Sequence, residues 1–202
     1  MIKLLRNRWA LSTVITTLII LVVAVLLASV VTYYAINVVS TRVQEESLTL
    51  SKAHIWQNAT ATAGTSSYCI ASLMVINTGG RDVVLNTIAI RGQTSPWNDS
   101  TASNQKFVAY VTTTDPISVD LNYVPNFNYT GGTNYETLGS TQYNFTIATR
   151  DLILKSGYTM LLYIMNPDSI SVNDVGLTVG ITLHTAQAIY YRETNIQAVS
   201  SS

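Results

Sequence analysis

Residues 9–41 read WALSTVITTLIILVVAVLLASVVTYYAINVVST, a run with no Asp, Glu, Lys or Arg. Lys3, Arg6 and Arg8 precede it, and Arg42, Glu45 and Glu46 follow it at once. As an α-helix rising about 1.5 Å per residue, residues 11–36 alone extend roughly 39 Å, more than the ~30 Å hydrocarbon core of a bilayer. The three bases on the N-terminal flank predict a cytoplasmic N-terminus, with everything beyond about residue 40 outside. A secretory signal has an apolar region of only about 7–15 residues, so this run is too long for one.

No Gly or Pro occurs before Gly64. Arg42 and Glu46 stand at i and i+4, and Val43/Leu50 and Leu48/Ile55 repeat at seven. These spacings predict that the helix continues past the apolar run, over residues 11–57, roughly 70 Å, with residues 58–67 as a linker rich in Ala, Thr, Gly and Ser. Such a helix requires burial against copies of itself. Thr16, Thr17, Ser29 and Thr32 are placed to bond back to carbonyls one turn earlier, and Ala24, Ala28 and Thr32 form a small-residue row spaced by four that permits close helix approach.

The remaining composition sets the class. The 202 residues include 48% apolar and only 11% charged residues, against about 25% charged in typical soluble domains. Eleven acids balance eleven bases, so no overall field gathers nucleic acid, and none is expected as a partner. The segment beyond residue 40 carries eight bases and eleven acids, a net charge of 8 − 11 = −3. The single Cys69 excludes an intrachain disulfide framework and a thiolate zinc site.

After the linker the period becomes two. Leu177, Val179, Ile181 and Leu183 alternate with Thr178, Gly180, Thr182 and His184, and Tyr143, Phe145 and Ile147 alternate with Asn144, Thr146 and Ala148. Residues 68–76 and 83–91 are strand candidates joined across Asn77-Thr78-Gly79-Gly80, which predicts a hairpin. Residues 107–111, 159–165 and 188–191 add further strands, and the Asn-, Thr-, Gly- and Tyr-rich stretch 122–146 reads as long surface loops leading into one. Seven or eight short strands with turn signals predict an antiparallel β-sandwich, immunoglobulin-like, over residues 68–202; with the N-terminal helix the class is α+β.

Four sequons begin at Asn58, Asn98, Asn128 and Asn144. Random placement of 15 Asn and 46 Ser or Thr already gives about three, so the topology, which puts all four on the exported side, is what makes them N-glycosylation candidates. Asn144 alternates away from its apolar neighbours, as an outward acceptor must. No phosphate loop, HExxH, GxSxG or calcium-loop pattern occurs, so no catalytic residue, metal ligand or cofactor is expected. His54 on the extended helix and His184 on a strand's polar face read as surface or interface residues, and Cys69 as a small buried hydrophobe. Asp115 and Asp120, or Asp168 and Asp174, read as turn caps rather than acid pairs.

The basic leader of residues 1–10, a cut point between Ala10 and Leu11, and Leu11-Ser12-Thr13-Val14-Ile15 running into an unbroken apolar helix together resemble the N-terminus of an archaeal type IV pilin. Family leaders place a base two positions before the cut; here Trp9 stands there, with Arg8 one position further back. Ile15 occupies the fifth mature position, where bacterial type IV pilins carry an acid. The resemblance implies cleavage by a prepilin peptidase on the cytoplasmic side, with Lys3, Arg6 and Arg8 holding the precursor in place. It also implies a membrane-anchored precursor, helical homopolymerisation through residues 11–57, and an adhesive head at the cell surface. Its implied partners are an assembly ATPase, a platform protein and an oligosaccharyltransferase. The alternatives are the related archaeal flagellar filament subunit, a permanently anchored extracellular binding domain, and an exported hydrolase.

Overall fold

A computed structural model describes residues 8–58, 68–99, 105–124, 127 and 134–199. The chain divides into two compact units, Met1–Gln44 and Glu45–Ser202. The first contains α1 (Arg8–Gln44), 37 residues and about 55 Å long, apolar on all sides rather than along one stripe. It ends well before the expected residue 57. Glu45 and Glu46 follow directly, and acids oppose the negative end of a helix dipole.

The second unit holds β1 (Leu48–Asn58), β2 (Cys69–Asn77), β3 (Val83–Ile90), β4 (Gln93–Ser95), β5 (Asn98–Asp99), β6 (Lys106–Thr113), β7 (Tyr135–Leu138), β8 (Thr141–Asn144), β9 (Thr146–Ile147), β10 (Leu152–Leu154), β11 (Thr159–Met165), β12 (Thr178–Thr185) and β13 (Ile189–Val199). A 3₁₀ turn covers Val172–Asp174. One N-terminal apolar helix followed by a large, mostly antiparallel sheet makes the protein α+β.

The segment 48–58 is therefore a strand, not helix. Leu48 and Leu50 face the core, as do Ala53 and Ile55, and the phase slips between them at a β-bulge where Lys52 takes φ +49°. The seven-residue Leu48/Ile55 spacing is thus strand alternation plus one inserted residue, which imitates a helical repeat. Pairing decides between the two: β1 runs antiparallel to β2 on one edge (Leu48↔Asn77 through Gln57↔Cys69) and parallel to β13 on the other (Ile55↔Ile196 through Asn58↔Val199).

Along the main sheet the order is β10-β3-β12-β13-β1-β2-β11-β6-β5, with β4 on β3 and β9 on β6; β7 and β8 form a separate pair. The main core draws on both ends of this order, from Leu73, Val108 and Leu162 of the β2-β11-β6 half to Leu85, Ile90, Ile181 and Leu183 of the β3-β12 half. The opposite face of the β2-β11-β6 half carries a second cluster of Ile70, Met74, Phe107, Leu161 and Tyr163. It is covered by Leu121, Val124, Phe127, Leu138, Tyr143 and Phe145. Within the stretch 122–146, expected as surface loop, the described residues accordingly supply a packed layer, and residues 125–126 and 128–133 lie outside the described residues. Tyr143, Phe145 and Ile147 keep their expected alternation but not a single strand: β8 pairs with β7 and β9 with β6.

The Asn77-Thr78-Gly79-Gly80 connection is not a hairpin turn, because β2 pairs with β1 and β11 while β3 pairs with β4, β10 and β12. It crosses between the halves and grips the chain just after α1. The Thr78 and Gly79 amides both donate to the Ser47 carbonyl, at 2.9 and 3.1 Å. Buried Asn77 donates to the carbonyls of Arg81 and Leu154 and accepts from the Gly79 amide. A Cβ on Gly79 would lie 2.7 Å from the Glu45 carbonyl oxygen and 2.8 Å from the Ser47 nitrogen. Gly79→Ala is expected to destabilise the domain by roughly 1–3 kcal/mol, at about 2–4 °C of Tm per kcal/mol for this size, while Ser47→Ala changes it by less than about 0.5 kcal/mol. Thermal melts in which the two variants behave alike would show that the junction does not depend on this close approach.

Candidate functional site

The first candidate surface is α1 itself. From Ser12 to Thr41, 30 residues with mean hydropathy 3.1, the helix is long and apolar enough to cross a membrane, and none of its most apolar window is buried within the chain. The expected back-bonds form: Thr16 Oγ1 donates to Ser12 O at 2.8 Å, Thr17 to Val14 O at 2.9 Å, Ser29 to Val25 O at 2.8 Å and Thr32 to Ala28 O at 2.8 Å. Thr41 does the same to Asn37 O. These hydroxyls are satisfied inside their own helix, as surroundings without water require. Ala24, Ala28 and Thr32 lie exposed on one row, and the Thr32 hydroxyl, turned onto Ala28 O, leaves that row without a free donor. Arg8 opens α1 and Ala10 and Leu11 fall in its first turn, whereas Lys3 and Arg6 lie outside the described residues.

The second surface is the outer face of β1, where the bulge puts Lys52, His54, Trp56 and Asn58 in register. Together they fasten the segment 117–123 across the sheet. Lys52 Nζ donates to the carbonyls of Ile117 (2.7 Å) and Val119. His54 Nε2 donates to Asp120 Oδ1 at 2.9 Å and its ring stacks on Trp56, centroids 5.2 Å apart. Trp56 meets Tyr123, whose hydroxyl accepts from Asn58 Nδ2 at 3.1 Å. Tyr163, rising from β11, donates its hydroxyl to Asn122 O at 2.9 Å. The helical reading of 48–58 hid this ladder; the alternation Lys-Ala-His-Ile-Trp-Gln-Asn after residue 51 is the signal that reveals it.

The predicted sites are dispersed. Asn144 is exposed on β8, opposite in sense to buried Tyr143 and Phe145, as expected. Asn98 is half-buried on β5, and Asn128 lies outside the described residues. Asn58 is wholly buried with its amide nitrogen committed to Tyr123, which removes it as an acceptor in the folded domain, and it closes β1 rather than opening a linker; residues 59–67 lie outside the described residues. Cys69 is a buried thiol whose pKa is pushed up to about 12 by burial, with the Asp174 charge adding to it, so it is unreactive in the folded state.

The two acid pairings do not form. Asp120 serves His54, and Asp168 serves Lys106. Asp174 accepts from the Ser171 amide and hydroxyl and from Arg91, which hold its pKa below the ordinary carboxylate value. His184 sits half-buried on β12, and among the described residues no three His, Cys, Asp or Glu side chains converge as a metal site.

Burial raises the pKa of Asp120, but the hydrogen bonds from His54 and the Leu121 amide, with the charges of His54 and Lys52, outweigh it and leave the value below 3.8. A depressed carboxylate contributes stability that is complete above about pH 3.8 and is lost as pH falls through the folded value. A 13C titration of the Asp120 carboxyl in the full chain should give a midpoint under 3.8 that rises in His54→Ala. A midpoint unmoved by that substitution would show that the pair does not anchor the segment.

Compared with protein-family models and with curated proteins, the sequence matches none.

Proposed function

We propose that this chain is the structural subunit of an archaeal type IV pilus-like filament, cut between Ala10 and Leu11 and polymerised through α1, with the β domain as its adhesive, surface-exposed head. The observation that carries this reading is α1: thirty residues, apolar on every side, with their hydroxyls turned onto their own backbone and no side-chain burial within the chain. A helix of that kind is stable only in lipid or among other apolar helices. The leader, with Lys3, Arg6 and Arg8 before the run, accounts for the first state, and the Ala24, Ala28 and Thr32 row supports the second.

For the head we infer an immunoglobulin-like sandwich. The strand order supports it: β1-β2-β11-β6 on one side and β3-β12-β13 on the other correspond in chain order to the A-B-E-D and C-F-G sheets of that architecture. The shared core between the halves is the packing such a sandwich requires. The role is architectural rather than catalytic, and prepilin peptidase, an assembly ATPase, a platform protein and an oligosaccharyltransferase are its proposed partners. Asn144 is the proposed glycan acceptor.

Intact mass and N-terminal sequencing of protein sheared from the cell surface test the reading. The expected chain begins at Leu11, with excess mass mapping to Asn144 and none to Asn58. A chain that retains residues 1–10 and stays in the membrane pellet after shearing would overturn it in favour of a permanently anchored binding domain.

A further inference from the structure

Eleven residues of β1 carry the chain roughly 35 Å from Leu48, next to the α1 exit, to Asn58 at the opposite end of the sheet. A cleft opens at that far end, where the last residues of β1, the first of β2, the start of β6 and the segment after β11 come together. Its apolar lining is Cys69, Pro167, Ile170 and Val172, and Tyr68 stands beside them half-buried. Gln57 also lines it, only 6% exposed, and its Oε1 has no hydrogen-bond partner among the described residues. Lys106 and Asp168 complete the wall, joined at 2.6 Å with side chains 22% and 47% exposed.

A buried carbonyl oxygen without a donor is unfavourable unless something supplies one, and nearly all buried polar side chains are satisfied in folded proteins. The architecture around Gln57 is firmly built. Asn166, held at φ +51°, accepts from the Tyr68 amide at 2.8 Å through Oδ1 and donates to the Gln105 carbonyl at 3.1 Å through Nδ2, tying three strands at this end.

We propose that this cleft binds a neutral saccharide. The Lys106–Asp168 pair cancels its own charge, so nothing there favours an anion or a cation. What it offers is an acceptor at Gln57, an acceptor and a donor at the ion pair, and an apolar floor with an aromatic ring at its edge. A pyranose has the complementary halves: hydroxyls that donate to Gln57 Oε1 and Asp168 and accept from Lys106, and a C–H face that lies on Cys69, Ile170 and Tyr68. Small-ligand sites combine apolar lining with a few convergent polar groups, and this lining holds both. For its purpose the inference rests on the adhesive reading of the head; its chemistry does not require polymerisation.

Saturation-transfer NMR on the full chain, solubilised in a phosphocholine detergent that carries no sugar, tests it with the methyl glycosides of glucose, galactose, mannose and N-acetylglucosamine. Transfer to the ring C–H protons of at least one is expected. Gln57→Leu should weaken that binding at least tenfold while leaving Tm unchanged or higher, since it replaces an orphaned carbonyl with an apolar group of similar size. Asp168→Asn should weaken it independently and decides the matter if Gln57→Leu fails to fold. Absence of transfer from all four glycosides, binding by both variants as tight as by the unaltered chain, or binding confined to the anionic methyl N-acetylneuraminide would overturn the proposal. Because the assay needs neither cleavage nor assembly, its failure is distinguishable from failure of the filament reading, which rests on the N-terminus of the sheared protein.

Discussion

β1 pairs on both edges, antiparallel to β2 and parallel to β13, and the rest of the domain depends on that double ladder. Its pairing with β2 belongs to the β1-β2-β11-β6 half, and its parallel pairing with β13 ties on the half that holds β12 and β3. The bulge at Lys52 makes this possible. It keeps Leu48, Leu50, Ala53 and Ile55 on the core side through a change of phase, and at the same stroke aims Lys52, His54, Trp56 and Asn58 at the segment that covers the outer face. Removing the bulge would shift every later residue of β1 to the wrong face.

The same strand sits three residues after a helix that has no burial of its own. The junction is correspondingly well fastened on the domain side: Ser47 O receives two amides from the 77–80 corner, Gly79 admits the Glu45–Ser47 backbone at a distance no side chain would allow, and Thr185 donates to the Glu46 carboxylate. A load applied through α1 would reach the domain at a point braced by β1, β12 and the corner following β2.

Ionic chemistry plays a local part throughout. Each ion pair described here fastens a loop: His54–Asp120 holds the outer layer, Arg91–Asp174 the 3₁₀ turn, Lys106–Asp168 the wall of the far cleft. Each is at least partly exposed, so its contribution to stability is small beside the apolar core, and its effect is to position backbone. The cleft differs because the side-chain carbonyl oxygen of Gln57, a buried group in its lining, is left without a partner among the described residues.

Much of the fold was legible in the residues because period and composition are local properties. The apolar run of α1, its hydroxyl back-bonds, the strands at 69–77, 83–90, 106–113, 159–165 and 178–185, and the outward sense of Asn144 all follow from neighbours a few positions apart. What the residues alone could not reveal depends on distant partners. A bulge counterfeited a heptad over 48–58, and only pairing with β2 and β13 makes that segment a strand. Asn77-Thr78-Gly79-Gly80 has the composition of a hairpin turn but crosses between the halves, because both edges of β2 were already taken by β1 and β11. Asn58 carries a sequon yet is buried under Tyr123, 65 residues away. The sequence by itself determined that this protein has a long helix apolar on every side and a β domain after it; the tertiary structure decided where one ends and the other begins, since helix and strand compete there on nearly equal local terms and long-range hydrogen bonding breaks the tie.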